Sequence, residues 1–137
     1  MTVQIRQSDY DAVIAHANAG LPNEACGLIA GRIDGEAYII EKVYLLTNTD
    51  RSREHFSVDP KEQLAAIKDM RAMGLSPLGN FHSHPETPAR PSEEDIRLAY
   101  DPKAVYLILS LAEEAPMLKA FHIEGGTVSL FSLEVAP

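Results

Sequence analysis

The sequence contains one cysteine, Cys26, so no disulfide bond can form within the chain. A single cysteine suits a reducing compartment, where thiols stay reduced. Basic residues are also scarce, since 12 lysines and arginines stand against 20 acidic residues and give a formal net charge of −8. Such a surface repels phosphate groups, which disfavours nonspecific binding to nucleic acids or to anionic membranes.

No hydrophobic run is long enough to cross a membrane. The longest, over residues 105–112, is interrupted by Ser110, whereas a spanning helix needs about 18–20 apolar residues. The N-terminal segment carries charged side chains, Arg6 among them, and lacks the apolar centre of a secretory signal. The chain has 137 residues, 45% of them hydrophobic, so we expect a single cytoplasmic domain over residues 1–137.

Apolar residues at helical spacing indicate two helices. The first is predicted over residues 8–19, where Ser8 and Asp11 have the spacing of a capping box. The second is predicted to begin at Asp59-Pro60 and to end at Gly74, because aspartate caps helices, proline suits their first position and glycine ends them. Its expected buried face consists of Leu64, Ile67, Met70 and Met73.

Runs of β-branched and aromatic residues between turn residues predict strands. Asp34-Gly35 is a strong signal for a hairpin turn, and it would join strands over 24–32 and 37–46. The other expected elements are a strand at 77–84, a proline-rich loop at 85–91, a short helix at 92–100 and strands at 104–111, 117–123 and 127–133. This order predicts an α/β domain in which helices pack on a mixed sheet.

The most informative segment is His82-Ser83-His84-Pro85, followed after seven residues by Ser92-Glu93-Glu94-Asp95. Residues two apart on a strand share a face, so His82 and His84 are expected to present their imidazoles side by side. The spacer is long enough to bring the Asp95 carboxylate back to the end of the strand. Two histidines and an aspartate would leave a tetrahedral zinc ion one position for water, as in catalytic zinc sites.

Each part of this pattern also has an ordinary explanation. A lone His-x-His on a strand is more often incidental than metal-binding, and Ser92 with Asp95 has the spacing of a helix capping box. The complete pattern is rarer, and for this composition we expect it by chance in roughly one chain in a thousand. A structural or sensory metal site stays open, and the same donors could hold iron. A nucleobase deaminase is excluded, because its zinc site uses the two cysteines of a Pro-Cys-x-x-Cys pair and this chain has only one cysteine.

The same residues resemble the signature of the JAMM (MPN-plus) metalloprotease family. The segment from Asn23-Glu24 to Gly31 resembles the other hallmark of that family, a glutamate just before a strand of small residues. The resemblance implies a cytidine-deaminase-like α/β fold, with a mixed β-sheet flanked by helices. It also implies one zinc ion per chain and a site of five residues, with ligands His82, His84 and Asp95, the acid/base Glu24 and the oxyanion donor Ser92. Spacing alone would not connect Glu24 with the histidines.

The resemblance extends to the substrate. Small bacterial members of the family trim ubiquitin-like sulfur carrier proteins that end in Gly-Gly, and Phe56-x-Val58-Asp59-Pro60 is similar to that group. It therefore implies hydrolysis of a peptide or isopeptide bond after such a tail, by a monomer or a homodimer. The alternative is a non-catalytic protein-binding module of the MPN type, although a module does not need the complete set of five site residues. His55, in the polar loop before the second helix, could border the active-site groove.

Overall fold

A computed structural model of the protein describes all residues from Met1 to Pro137. Eight strands form one mixed sheet, and three helices pack against it. None of these helices has the length and apolar character needed to cross a lipid bilayer. In chain order the elements are β1 (Thr2–Arg6), α1 (Gln7–Gly20), β2 (Cys26–Asp34), β3 (Ala37–Leu46), α2 (Pro60–Ala72), β4 (Ser76–His84), α3 (Glu93–Arg97), β5 (Val105–Ser110), β6 (Met117–Glu124), β7 (Thr127–Leu130) and β8 (Ser132–Ala136).

The sheet curls until its two ends meet. Its strand order is β7-β6-β5-β4-β2-β3-β1-β8, with parallel pairs β4–β5, β1–β3 and β1–β8 and antiparallel pairs elsewhere. Strands β7 and β8 stand at opposite ends of this order, yet Phe131 alone separates them along the chain. One residue spans at most about 3.6 Å, so the last residue of β7 must lie close to the first residue of β8. Phe131 is buried at this junction and donates its backbone N–H to the carbonyl oxygen of Ala120.

The two faces of the sheet are covered by different helices. Along β5, Leu107 and Leu109 join the large core that includes α1, whereas Ile108 joins a smaller cluster beside α3. Successive strand residues point to opposite faces, and His82 lies opposite Ile108 in the register of β4 and β5. His82 and His84 therefore belong to the face of the sheet that α3 covers, as the two-residue period predicts.

Small residues in β2 let the neighbouring strands come close. A Cβ atom on Gly27 would lie 2.1 Å from the Phe81 ring and 2.1 Å from the carbonyl oxygen of Tyr44. Only glycine fits at such a distance. The register that results pairs Cys26 with His82, which brings the residues just before β2 to the histidine-bearing end of β4.

Most of the predicted elements are confirmed, and with them the mixed α/β sheet flanked by helices. Gly35 has a φ of +62° in the turn between β2 and β3, and Gly74 has a φ of +71° just after α2. The side chain of Asp59 caps α2 by accepting a 2.9 Å hydrogen bond from the backbone of Lys61. Ser92 caps α3, which ends at Arg97 and not near residue 100.

Two expectations about the N-terminal region are wrong. Strand β1 is not among the predicted elements, although the alternation of buried Val3 and Ile5 indicates it. The capping box at Ser8 and Asp11 does not form, because β1 runs directly into α1 and the helix begins earlier, at Gln7. Asp11 instead accepts a hydrogen bond from the Gln7 side chain at 2.9 Å.

Two further expectations are wrong, because contacts with the sheet determine the strand partners and the buried face of a helix. The single strand predicted over 127–133 is two strands, since the chain changes its partner from β6 to β1 at Phe131. The predicted face of α2 is also wrong, because Leu64 and Met73 are more than half exposed. The helix contacts the sheet along a narrow strip formed by Ala66 and Met70.

Candidate metal centre

Two short segments carry the three donor side chains. His82 and His84 stand at the end of β4 and are buried, and Asp95 lies in the first turn of α3. The capping box holds this turn in place: the Ser92 hydroxyl accepts from the Asp95 backbone N–H at 3.0 Å, and Asp95 Oδ2 accepts from the Ser92 backbone N–H at 2.9 Å. The same Oδ2 atom faces both imidazoles, so the helix cap also orients the carboxylate.

The three donor atoms converge on one point. His82 Nε2 and His84 Nε2 are 3.1 Å apart, and Asp95 Oδ2 lies 3.2 Å from His82 Nε2 and 3.1 Å from His84 Nε2. Donors that are about 2.0–2.1 Å from a tetrahedral zinc ion are about 3.3 Å from one another. The donor set and its spacing therefore fit a zinc ion held by His82, His84 and Asp95.

The surroundings of the imidazoles orient them for this role. His84 Nδ1 lies 2.9 Å from the carbonyl oxygen of Pro88, so Nδ1 carries the proton and the lone pair is on Nε2. Such a hydrogen bond behind the ligand fixes the tautomer and the ring in many metal sites. The ring of Phe56 stacks on that of His82, with 4.7 Å between centroids.

The electrostatics of the cluster favour a cation. Burial opposes the charged forms of Asp95 and His84, but it is outweighed by the hydrogen bonds of Asp95 with His82 and His84 and by those of His84 with Asp95 and the Pro88 carbonyl oxygen. The pKa of Asp95 is consequently held well below its usual range, and the pKa of His84 is raised. The buried cluster thus contains a carboxylate that keeps its negative charge and attracts a positive one.

Glu24 lies just before β2 and faces the same site. It is 5% exposed, and its Oε1 atom has no hydrogen-bond partner. Glu24 lines a cavity of about 520 Å³ together with His84 and Ser92, and no hydrophobic residue contributes to that cavity. Burial, and to a lesser degree the nearby charge of Asp95, raise the pKa of Glu24 to about 8, against an opposing effect of His84. A buried carboxyl group with such a pKa can take up and release a proton near neutral pH.

A second cavity lies on the other side of the donor cluster. It has a volume of about 400 Å³ and is lined by His82 and Asp95 together with Phe56, Leu98 and Tyr106. Another cavity of about 420 Å³ continues from it, and the residues common to both are Leu28, Gln63, Asn80 and Tyr106. The donor cluster thus lies between a polar cavity and a longer, half-apolar groove.

All five residues singled out in the sequence meet at this site. His55 borders both cavities, as its loop position allows, and its Nδ1 pairs with Glu94. Two contacts had no signal in the sequence. The Pro88 carbonyl oxygen is a backbone atom of an irregular loop, and the Asn48 side chain, just after β3, donates to the Glu24 carbonyl oxygen.

The chain is similar to several known proteins. The family model for prokaryotic homologs of the JAB domain matches residues 6–124. A CysO-cysteine peptidase from Mycobacterium tuberculosis is 33% identical, with 91% of this chain and 85% of that protein covered. A desampylase from Haloferax volcanii is 32% identical over 73% of this chain and 74% of that protein. The solution structure of a protein from Desulfitobacterium hafniense is 52% identical, covers 98% of this chain and 92% of that one, and superposes with a TM-score of 0.89.

Proposed function

The chain belongs to the family of prokaryotic homologs of the JAB domain, and from this membership we propose that it is a zinc-dependent metallopeptidase that hydrolyses the peptide or isopeptide bond after the Gly-Gly tail of a small ubiquitin-like sulfur carrier protein. The resemblance of the sequence to the JAMM signature and the predicted fold class are thereby confirmed. Relatives named as a peptidase and as a desampylase support hydrolysis.

The observation that carries the proposal is the convergence of His82, His84 and Asp95 within 3.2 Å of one another, beside the buried carboxyl group of Glu24. These three residues would hold the zinc ion. When bound, zinc supplies a Lewis acid that polarises a carbonyl group and makes water more acidic. A structural site would have no use for a buried acid/base without a hydrogen-bond partner.

Glu24 and Ser92 would do the protein's own part of the chemistry. Glu24 would accept the proton of the attacking water and pass it to the departing amine, which is why an unpaired oxygen in the cavity is useful. The Ser92 hydroxyl accepts a bond from the Asp95 backbone, so its own proton is free to be donated to the developing oxyanion. One such donor typically lowers a barrier by about 2.7–4 kcal/mol.

The groove beside the site suits a flexible, narrow tail. An extended chain that approaches the metal position would pass Asn80 and Gln63, whose side-chain amides make no hydrogen bond within the protein and could bind a peptide backbone. Two glycines carry no side chains, so such a tail can lie extended in the groove without steric hindrance from side chains of its own. We therefore favour a carrier that ends in Gly-Gly over an unspecific peptide.

The catalytic assignment is tested by metal analysis and by substitution of Glu24. Wild-type protein is expected to bind one zinc ion per chain and to lose cleavage when a chelator removes it. Glu24→Gln should keep the zinc ion and lose nearly all turnover, whereas the same change at exposed Glu134, on β8, should alter neither. Zinc-replete Glu24→Gln protein with near-normal turnover would remove the acid/base role.

The substrate assignment needs a panel of carriers. Zinc-loaded protein would be incubated with ubiquitin-like proteins that end in Gly-Gly followed by a cysteine, a short peptide or an isopeptide-linked lysine, and intact mass would report the products. Shortening to the Gly-Gly end supports the proposal, and the extension that is removed identifies the leaving group. Cleavage of generic peptides without any carrier would retain the peptidase and reject the carrier. Cleavage of neither by zinc-loaded protein would favour the non-catalytic binding module.

A further inference from the structure

Asn48 connects three parts of the chain through one side chain. It follows β3 and pairs with Val58 in an isolated antiparallel bridge, so it stands at the neck of the loop over residues 49–57. All four hydrogen-bonding positions of its carboxamide are used. Its Nδ2 donates to the carbonyl oxygens of Glu24 and His55, both at 2.9 Å, and its Oδ1 accepts from the backbone N–H groups of Asp50 at 3.0 Å and Ser57 at 3.1 Å.

This arrangement determines how Glu24 is held. The backbone N–H of Glu24 donates to the carbonyl oxygen of Ser52 at 2.7 Å, and its carbonyl oxygen accepts from Asn48. Both backbone groups of Glu24 are thus bonded to the loop region and neither to a neighbouring strand. The sheet brings the chain to this point, because the backbone of the next residue, Ala25, is bonded to Ser83 of β4, but the backbone of Glu24 itself is held by Asn48 and Ser52.

The same loop reaches the donor cluster from the other side. Phe56 stacks on the His82 ring, and His55 pairs with Glu94 in α3. The hydrogen bond from Asn48 to the His55 carbonyl oxygen lies directly before Phe56 in the chain. A change at Asn48 therefore acts on the backbone of Glu24 and on the segment that packs against His82.

We propose that Asn48 is a positioning residue, whose carboxamide ties Glu24 to the loop over residues 49–57 and so keeps the Glu24 carboxyl group directed at the donor cluster. This inference rests on the catalytic role proposed for Glu24. The Asn48 side chain makes no hydrogen bond with any of the three donor side chains, so it acts through Glu24 and through the loop and not on the reacting atoms.

The substitution Asn48→Asp tests the N–H donors of the carboxamide separately from its oxygen acceptor. An aspartate keeps an oxygen that accepts from Asp50 and Ser57, but it loses both N–H donors and sets a carboxylate oxygen against the carbonyl oxygens of Glu24 and His55. The loop turn is retained while the connection to Glu24 is broken. Asn18→Asp is the matched control, because Asn18 is exposed on α1 and its side chain makes no hydrogen bond.

We expect Asn48→Asp to keep its zinc stoichiometry and to lose turnover. The loss should lie mainly in kcat, by about tenfold to thirtyfold, with a smaller change in KM, because two hydrogen bonds that hold Glu24 and the loop are removed. Hydrogen–deuterium exchange of the Glu24 amide, which donates to Ser52, should accelerate by about the same factor. Asn18→Asp should resemble wild type in all three measurements.

A folded, zinc-replete Asn48→Asp protein with wild-type kcat and unchanged exchange at Glu24 would overturn the inference. Wild-type kcat in spite of faster exchange would also overturn it, since the connection would then be structural only. If Asn48→Asp does not fold, Asn48→Ser, which keeps one donor, is measured instead and should show a smaller loss of the same kind. If wild-type protein cleaves no substrate, the proposed function fails, and unchanged exchange in the variant would still reject the link between Asn48 and Glu24.

Discussion

The metal-free protein should lose stability as the pH rises, because of Glu24. This residue is 5% exposed, one of its carboxylate oxygens has no partner, and burial raises its pKa from 4.5 to about 8. The folded protein therefore keeps the proton over a pH range in which the unfolded chain has released it. The stability that comes from the neutral carboxyl group is complete below about pH 4.5 and is lost as the pH rises through 8.

The size of the effect follows from the difference between the two pKa values. One pKa unit corresponds to about 1.4 kcal/mol, and at pH 7 about 2.5 units separate the pH from the unfolded-state value. Because the unfolded chain is ionised at pH 7 while the folded protein still keeps the proton, the free energy of unfolding should be lower by about 3 kcal/mol at pH 7 than at pH 4. The glutamine of Glu24→Gln carries no charge at any pH. The free energy of unfolding of this variant should therefore rise relative to that of wild type by about 3 kcal/mol between pH 4 and pH 7.

Urea unfolding in the presence of a chelator, at half-unit steps from pH 4 to pH 8.5, measures this difference. Titration of Asp95, His84 and the surface groups occurs in both proteins and largely cancels when the two unfolding free energies are subtracted. Saturation with zinc should shrink the difference, because a cation near Glu24 favours its charged form. Parallel stability curves for the two metal-free proteins would refute the reasoning, since they would mean that Glu24 is solvated or paired.

Three more substitutions, one of them with a matched control, test the packing around the site and the binding of the metal. Gly27→Ala should lower the free energy of unfolding in urea by about 3 kcal/mol, the upper end of the usual overpacking cost, because its Cβ would lie 2.1 Å from the carbonyl oxygen of Tyr44. Gly20→Ala is the control and should be nearly neutral, because its Cβ would meet its nearest atom at 3.6 Å. Ser83→Ala should lower the free energy of unfolding by about 1–3 kcal/mol. The Ser83 hydroxyl accepts a 2.8 Å hydrogen bond from the backbone N–H of Ala25, and without it this N–H would be left buried and unpaired. Asp95→Asn should weaken zinc binding by at least about tenfold in a competition titration with a chromogenic chelator, as loss of a charged ligand requires.

Local periodicity accounts for the parts of the site that lie close together in the chain. The alternation of a strand places His82 and His84 on one face, and the Ser-x-x-Asp spacing produces the cap that orients Asp95. Both follow from interactions between residues a few positions apart, which is why they can be read without knowledge of the fold. The split of residues 127–133 into two strands could not be read in this way, because it depends on which strand each half meets.

The amino-acid order by itself determined the donor pair, the capped helix that supplies the carboxylate, and the small residues that let strands approach β2. Only the folded chain decided that Glu24 reaches the histidines, through the pairing of Cys26 with His82, and that Asn48 holds Glu24 by its backbone. These contacts join residues distant in sequence and use backbone carbonyl oxygens, which every residue type possesses. The pattern of side chains along the sequence therefore cannot predict these contacts, which form only when the strands have paired in the folded sheet.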